Sequence, residues 1–267
     1  MSDGGMLAGK SAVIIGGGRG IGRAVALALA DAGAHVHVVA RTESQLAETV
    51  RQIEAGGGSA AATALDASRP EAIFDELKPR VEQLSGPPDI LVNSAGVFGP
   101  IRLVVDTDYQ DWIETINFNL IAPYLTCRAF VEGMITKGWG RIINVTSAAS
   151  LHPPSPLNSA YSTSKVALNQ FTRSLASELV GTGVTANVLH PGEVKTEMWR
   201  YIKEQGDILG EIGEPLRQWA RDVGESGGDP PEKTADLVLS LVDEDSGSTN
   251  GQFLWIKDGR QDPIPTD

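Results

Sequence analysis

The chain has 267 residues, 41% of them hydrophobic and 21% charged, with a formal net charge of −12. That length can bury a sizeable core within one α/β domain, and the acidic surface makes nucleic acid and anionic membranes poor partners. Cys127 is the only cysteine, which rules out an intrachain disulfide and fits a reducing compartment. Met1 to Lys10 is glycine-rich without an apolar signal region, and no apolar run reaches transmembrane length. The expectation is a cytoplasmic protein with residues 1–267 forming one domain.

In chain order, apolar runs alternate with helical patterns. Strands are predicted at Ser11–Ile15, His35–Ala40, Ala60–Leu65, Asp89–Asn93, Arg141–Thr146, Val184–Leu189 and Gln252–Ile256. Helices are predicted at Ile21–Ala32, Ser44–Ala55, Pro70–Leu84, Asp108–Thr136, Ser159–Gly181 and Pro231–Val242. Most strands are apolar at consecutive positions, the mark of parallel strands covered on both faces. The expected fold is α/β, a doubly wound Rossmann-type parallel sheet of about seven strands with helices on both faces. A ligand should sit at the switch point beside the first strand.

The first strand runs into Ile15-Gly16-Gly17-Gly18-Arg19-Gly20-Ile21-Gly22. Glycines there let the backbone turn sharply and approach a ligand, and the helix that follows offers unpaired N–H groups to a pyrophosphate. The spacing is G-x-x-x-G-x-G, so the G-x-G-x-x-G fingerprint does not fit. An ordinary strand-to-helix turn is the plain alternative.

Later motifs carry chemistry. Tyr161 and Lys165 are four residues apart and share a helix face. An ammonium near a phenol should lower its pKa and make it a general acid/base. Ser147, where the fifth strand ends, could donate to a carbonyl oxygen, and Thr146 and Ser150 compete for that role. His35 and His37 share a strand face without further ligands nearby, so they read as buried, hydrogen-bonded residues and no metal is expected. His190 reads as structural, and Trp112 and Trp139 as packing. Two loops stand out: the proline-rich His152–Asn158, and Glu193–Asp229, a long segment expected to act as a substrate lid. Trp199, Tyr201 and Trp219 in the second could line a pocket or simply pack it down. Glu193 could contact substrate or lie in solvent.

Taken together, these motifs resemble the short-chain dehydrogenase/reductase family in its compact form, from about Lys10 to Gly259. The shared pieces are the glycine turn, Asn93-Ser94-Ala95-Gly96, Asn119, Ser147, Tyr161, Lys165 and Pro191-Gly192 followed by Thr196. The resemblance implies hydride transfer to or from a nicotinamide. Ser147 would polarise a carbonyl, Tyr161 would pass the proton, and Lys165 would depress the tyrosine pKa and hold the ribose. Asn119 would organise a helix and a proton-relaying water. Gly16, Gly18, Arg19, Gly20 and Ile21 would line the phosphates. Asn93, Ala95 and Gly96 would lie on the adenosine side, Asp66 at the adenine, and Pro191, Gly192, Val194 and Thr196 at the carboxamide. For Asp66, a helix-capping role is the alternative.

Four departures stand out: Ile15 for a threonine, Ser94 for an asparagine, one extra residue between Ser147 and Tyr161, and Asp258-Gly259-Arg260 for D-G-G. The cofactor follows from the second strand. An acidic residue at its end would favour NAD, but Ala40 stands there, followed by Arg41. With Arg19, two guanidinium groups suit a 2′-phosphate, so NADP(H) is expected; an Arg41 turned to solvent would leave NAD possible. The leading reading is an NADP(H)-dependent carbonyl/secondary-alcohol oxidoreductase. A 3-oxoacyl-thioester reductase, an NAD-dependent alcohol dehydrogenase and a non-catalytic dinucleotide sensor or scaffold are the alternatives. The substrate would be a small, fairly apolar ketone or alcohol. Family resemblance also implies pairing of long helices into a dimer or tetramer. Ile121, Leu125, Leu168, Phe171 and Leu175 suit that pairing, or packing on their own sheet.

Overall fold

The computed structural model describes residues 5–151, 155–256 and 259–261. His152 to Pro154 and Asp258 lie outside them. The consecutive apolar runs become strands: β1 Ser11–Ile15, β2 His35–Ala40, β3 Ser59–Ala64, β4 Ile90–Asn93, β5 Gly140–Val145, β6 Val184–His190 and β7 Phe253–Trp255. These seven are parallel, and β8, Gly259–Gln261, adds an antiparallel edge not foreseen from its polar, glycine-containing sequence. The order is β3-β2-β1-β4-β5-β6-β7-β8, so the winding reverses between β1 and β4.

Alternation along each buried strand feeds two apolar layers. Ala12, Ile14, Val36, Val38, Ile90 and Val92 face α1 (Gly20–Asp31), α2 (Glu43–Ala55) and a C-terminal helix, Pro231–Val242. Val13, Ile15, Leu91 and Ile142 face the helices that follow β3, β4 and β5. Ile15 is 2% exposed in this second layer, so where the family has a threonine this chain packs a hydrocarbon against the sheet.

Two predicted helices are compound. The first begins with a π turn, Ala72–Leu77, and continues as α3, Lys78–Ser85. The long helix is α4 (Tyr109–Ile116), a π turn (Asn117–Ile121) and α5 (Ala122–Lys137). Each wide turn precedes a proline, Pro79 or Pro123, which has no N–H for the carbonyl four residues back. For Pro123 that carbonyl belongs to Asn119. Next comes α6, Ser159–Glu178. Leu125 and Leu175 are buried in the second layer and Ile121 and Phe171 pack against it, so these four serve the parent sheet, while Leu168 is also buried.

Segment 193–229, expected to be irregular, holds α7 (Glu197–Ile208) and α8 (Glu214–Ser226) before the C-terminal helix, α9. Its ends are tied together. Asp229 N–H donates to the Glu193 carbonyl at 3.0 Å, and Glu193 N–H donates to Asp229 Oδ2 at 2.9 Å. The aromatics mostly pack it down: Trp199 Nε1 donates to Ala220 O, and Trp219 Nε1 donates to Glu193 Oε1. His35 and His37 hydrogen-bond Ser59 and Thr63 across to β3, each at 2.8 Å. Trp139 lies between Lys10 and Arg141. Among the described residues no helix is long and apolar enough to cross a membrane.

Candidate active site

The glycine turn is shaped by contact with its neighbours. Gly16 has φ +88°, and a Cβ there would fall 2.6 Å from the Ala95 nitrogen. One on Gly22 would fall 2.2 Å from the Gly16 carbonyl oxygen. Side chains at these positions would force the turn off both β4 and α1. From below, Thr49 Oγ1 donates to Gly17 O and Arg23 to Gly18 O. No side chain caps the N-terminus of α1, and its first turn carries no acidic residue. Its N–H groups therefore face an open position of positive potential, the chemistry that a pyrophosphate needs.

Beside the turn, Arg19 forms an ion pair with Glu197, the first residue of α7. Arg41 stacks over Phe118, 4.7 Å from the ring centroid. Burial lowers the Arg19 pKa, with repulsion from Arg41 and then Arg200 adding to it. Both expected arginines thus share one cleft of about 520 Å³, with Gly96, Phe98, Phe118 and Tyr201. Thr196 also reaches the turn, its Cγ2 3.6 Å from where a Gly20 Cβ would be. Gly192 has φ +79°, and a Cβ there would meet Asp229 Oδ2 at 2.5 Å.

Two expected cofactor residues hold the fold. Asn93 donates to Asn144 Oδ1 at 2.9 Å and accepts from Thr126 Oγ1 at 2.8 Å. Its carboxamide is committed inside the sheet and supports the site from beneath. Asp66 Oδ1 accepts from Ser68 N–H at 3.0 Å and Ser68 Oγ at 2.7 Å, which closes a local turn, while Glu71 stands at the cap position of the following helix.

The four expected catalytic side chains converge where β4 and β5 end. Asn119 is fully buried. Its Oδ1 accepts from Val97 N–H, and its Nδ2 donates to Val97 O and to Ser164 Oγ. It therefore pins the loop after Gly96 to α6. Lys165 Nζ donates to Val145 O at 3.0 Å, and burial brings its pKa down to about 8. The Ser147 hydroxyl meets the Tyr161 phenol and acts to lower its pKa. Its two competitors are occupied: Thr146 Oγ1 donates to Asn169 Oδ1, and Ser150 Oγ donates to Ser147 O while accepting from Asn169 Nδ2. His190 steadies this turn by accepting from Ala148 N–H through Nδ1. The one added residue in the loop thus leaves Ser147 against Tyr161.

The expected lowering of the Tyr161 pKa is not the net outcome: Lys165 Nζ donates to Val145 O and lies 5.8 Å from the phenol's ring centroid. Burial is the larger influence and raises the phenol pKa, while the Ser147 hydrogen bond pulls it down.

Sequence reasoning missed Phe98, whose ring stacks on Tyr161, and Ser164, the partner of Asn119. Each was within two residues of a recognised motif, Phe98 after Gly96 and Ser164 before Lys165. Leu157, at φ +73°, joins Phe98, Ile101, Tyr161 and Ile202 in an apolar cluster against which Met198 and Trp219 pack.

Residues 10–207 match the sequence profile of the short chain dehydrogenase family. A short chain dehydrogenase of Pseudocercospora fijiensis is 43% identical over 198 residues, spanning 73% of this chain and 62% of that one. L-2,3-butanediol dehydrogenase of Corynebacterium glutamicum is 32% identical over 255 residues, spanning 94% and 98%. Among solved structures, an NAD+-bound xylitol dehydrogenase superposes with a TM-score of 0.85 at 25% identity, covering 94% of this chain and 98% of that one. A metagenomic short-chain oxidoreductase in complex with NADP gives a TM-score of 0.73 at 32% identity, covering 92% and 95%.

Proposed function

The chain belongs to the short-chain dehydrogenase/reductase family of oxidoreductases, and on that footing we propose that it interconverts a small apolar ketone and its secondary alcohol using NADP(H). The observation that carries this reading is the meeting of Ser147, Tyr161, Lys165 and Asn119 behind Gly96, which lines the cleft that holds Arg19 and Arg41. The nicotinamide, when bound, supplies or accepts the hydride. Ser147 donates a hydrogen bond to the carbonyl oxygen as charge builds on it. Tyr161 gives that oxygen a proton in reduction and takes it back in oxidation. Lys165 holds the adjoining ribose, and Asn119 fixes the loop that shapes the site.

The preference for NADP(H) rests on Ala40 in place of a carboxylate and on Arg19 and Arg41 in one cleft. An arginine fork matches a phosphate well. Solved relatives include both an NAD+ and an NADP complex, so the arginines decide this reading. The substrate class rests on the apolar cluster of Phe98, Ile101, Leu157 and Ile202 around Tyr161. Segment 193–229 serves as the lid of a single domain, pinched at Glu193 and Asp229. The same reading makes the enzyme a cytoplasmic homo-oligomer, with exposed Tyr109, Ile113, Tyr124 and Val166 on α4 to α6 as its contact face.

The test is NADPH oxidation by the purified protein over a panel of acyl thioesters, cyclic ketones, steroids and α-diketones, with Tyr161→Phe alongside. Loss of a proton donor should cost about 10²–10⁴-fold in kcat while NADPH still binds. NADH turning over better than NADPH would overturn the cofactor assignment and leave the activity standing. Tight NADPH binding with no turnover of any ketone would favour the sensor reading.

A further inference from the structure

The recognised motifs account for Ser147, Tyr161 and Lys165 but not for what covers the phenol. Phe98 covers it. Two residues beyond Gly96 on the β4–α4 loop, its ring lies over that of Tyr161 with centroids 4.5 Å apart and planes 22° apart. Both side chains are nearly withdrawn from water, Phe98 at 9% exposure and Tyr161 at 7%. Phe98 also lines the cleft, and its cluster reaches α7 through Ile202.

Resting on the assignment of Tyr161 as proton donor, we propose that Phe98 is a positioning and specificity-determining residue. It confines the phenol beside Ser147, keeps it in the neutral form, and walls the ketone site against bulky substituents. The first effect is packing, since a stacked aromatic pair is favourable beyond the area it buries. The second is electrostatic. A phenolate spreads its charge over its ring, and here that ring faces the negative π cloud of Phe98. The stack therefore favours the protonated phenol, and burial acts in the same direction.

Few other polar groups meet the phenol. The turn after β5 presents the Ser147 hydroxyl, and α6 presents Lys165. The β4–α4 loop and α7 bring carbon, from Phe98, Ile101 and Ile202. His190 stands one step away, on the Ala148 N–H. A neutral tyrosine is the form that donates a proton, so Phe98 keeps the enzyme competent for reduction to higher pH. The third effect is steric, because the ring stands at the cleft wall where a ketone substituent would otherwise extend.

The test compares Phe98→Leu, Phe98→Ala and Phe98→Trp in the full chain, each with and without Tyr161→Phe. Subtracting the Tyr161→Phe signal isolates one phenol among the four tyrosines in a phenolate absorbance titration. Leucine keeps the site apolar but removes the π face. Phe98→Leu should lower the Tyr161 titration by up to about one pH unit, the scale of an aromatic pair, and Phe98→Trp should restore it. Phe98→Ala should raise kcat/KM for a bulky aryl ketone over a small one by about tenfold or more, largely through KM. An unmoved Tyr161 titration in Phe98→Leu overturns the positioning role. An unmoved ketone ratio in Phe98→Ala overturns the specificity role. If Tyr161→Phe itself stays active, the acid/base assignment falls and the role of Phe98 falls with it. An inactive Tyr161→Phe with unmoved Phe98 variants sinks the Phe98 proposal alone.

Discussion

Replacing Lys165 by methionine should stabilise the protein while abolishing its activity. Lys165 is 4% exposed, and burial takes its pKa from 10.5 to about 8. A fall of that size corresponds to about 3 kcal/mol of disfavoured charge. Methionine fills a similar volume without charge, but it leaves the Val145 carbonyl without its donor, which costs about 1 kcal/mol. The variant should then be about 2 kcal/mol more stable at pH 7, a rise in Tm of about 4–8 °C for a chain of this size. The sign follows from linkage. Below about pH 8 the lysine is protonated in both folded and unfolded chains, and the penalty is fully present. Between about pH 8 and 10.5 the folded state releases its proton first, so the penalty fades and the two proteins converge. Thermal unfolding of both proteins at pH 7 and pH 10 measures this. A variant less stable at pH 7, or an advantage unchanged at pH 10, would refute the view that the buried ammonium is a cost of the site.

Two other perturbations follow from named contacts. The Arg19–Glu197 pair is about half exposed on both sides, at 52% and 50%, so it is worth at most about 1 kcal/mol. Glu197→Gln should free Arg19 for the 2′-phosphate and tighten NADPH binding by up to about fivefold, with a smaller effect on NADH. Calorimetric titration with both dinucleotides checks this, and weaker NADPH binding would show that Glu197 instead holds Arg19 in place. His37 has its pKa pulled from 6.5 to about 4 by burial, then by His35 and Arg80. The unfolded chain takes up that proton first, so this residue removes stability as pH falls from about 6.5 towards 4. His37→Gln should therefore lose less stability than wild type between pH 7 and 5 in urea unfolding, and parallel losses would exclude the histidine.

Much of this was legible because the signals were local. Runs such as Ala12–Ile15 and Ile90–Val92 are apolar at consecutive positions, which only a sheet covered on both faces accommodates. Tyr161 and Lys165 declare a shared helix face by spacing alone. What escaped depended on distant partners. The π turn at Asn119 needs Pro123, whose missing N–H looks harmless within an otherwise helical run. α7 and α8 escaped because their segment mixes glycine, charge and aromatics, and its order comes from contacts such as Trp219 with Glu193. The stack of Phe98 on Tyr161 joins residues 63 positions apart, and no periodicity connects them.

The same distinction explains why the motifs belong together. Read singly, Asn93 looks like a cofactor contact and Asn119 like the organiser of a helix and a water. In the fold, each is hydrogen-bonded into its own line of supports. Asn93 holds Asn144, and Asn144 donates to Thr172 on α6. Asn119 holds Val97 and Ser164, and Ser164 donates to the Tyr161 carbonyl. Two buried chains of hydrogen bonds thus run from β4 and its loop to α6, one beneath the tyrosine and one beside it. Removing a link leaves a buried polar group unpaired, a cost of about 1–3 kcal/mol, as well as loosening the site. The positions that carry the chemistry are fixed by residues that need never touch a substrate, and the spacing of the motifs records that scaffold as much as it records the reaction.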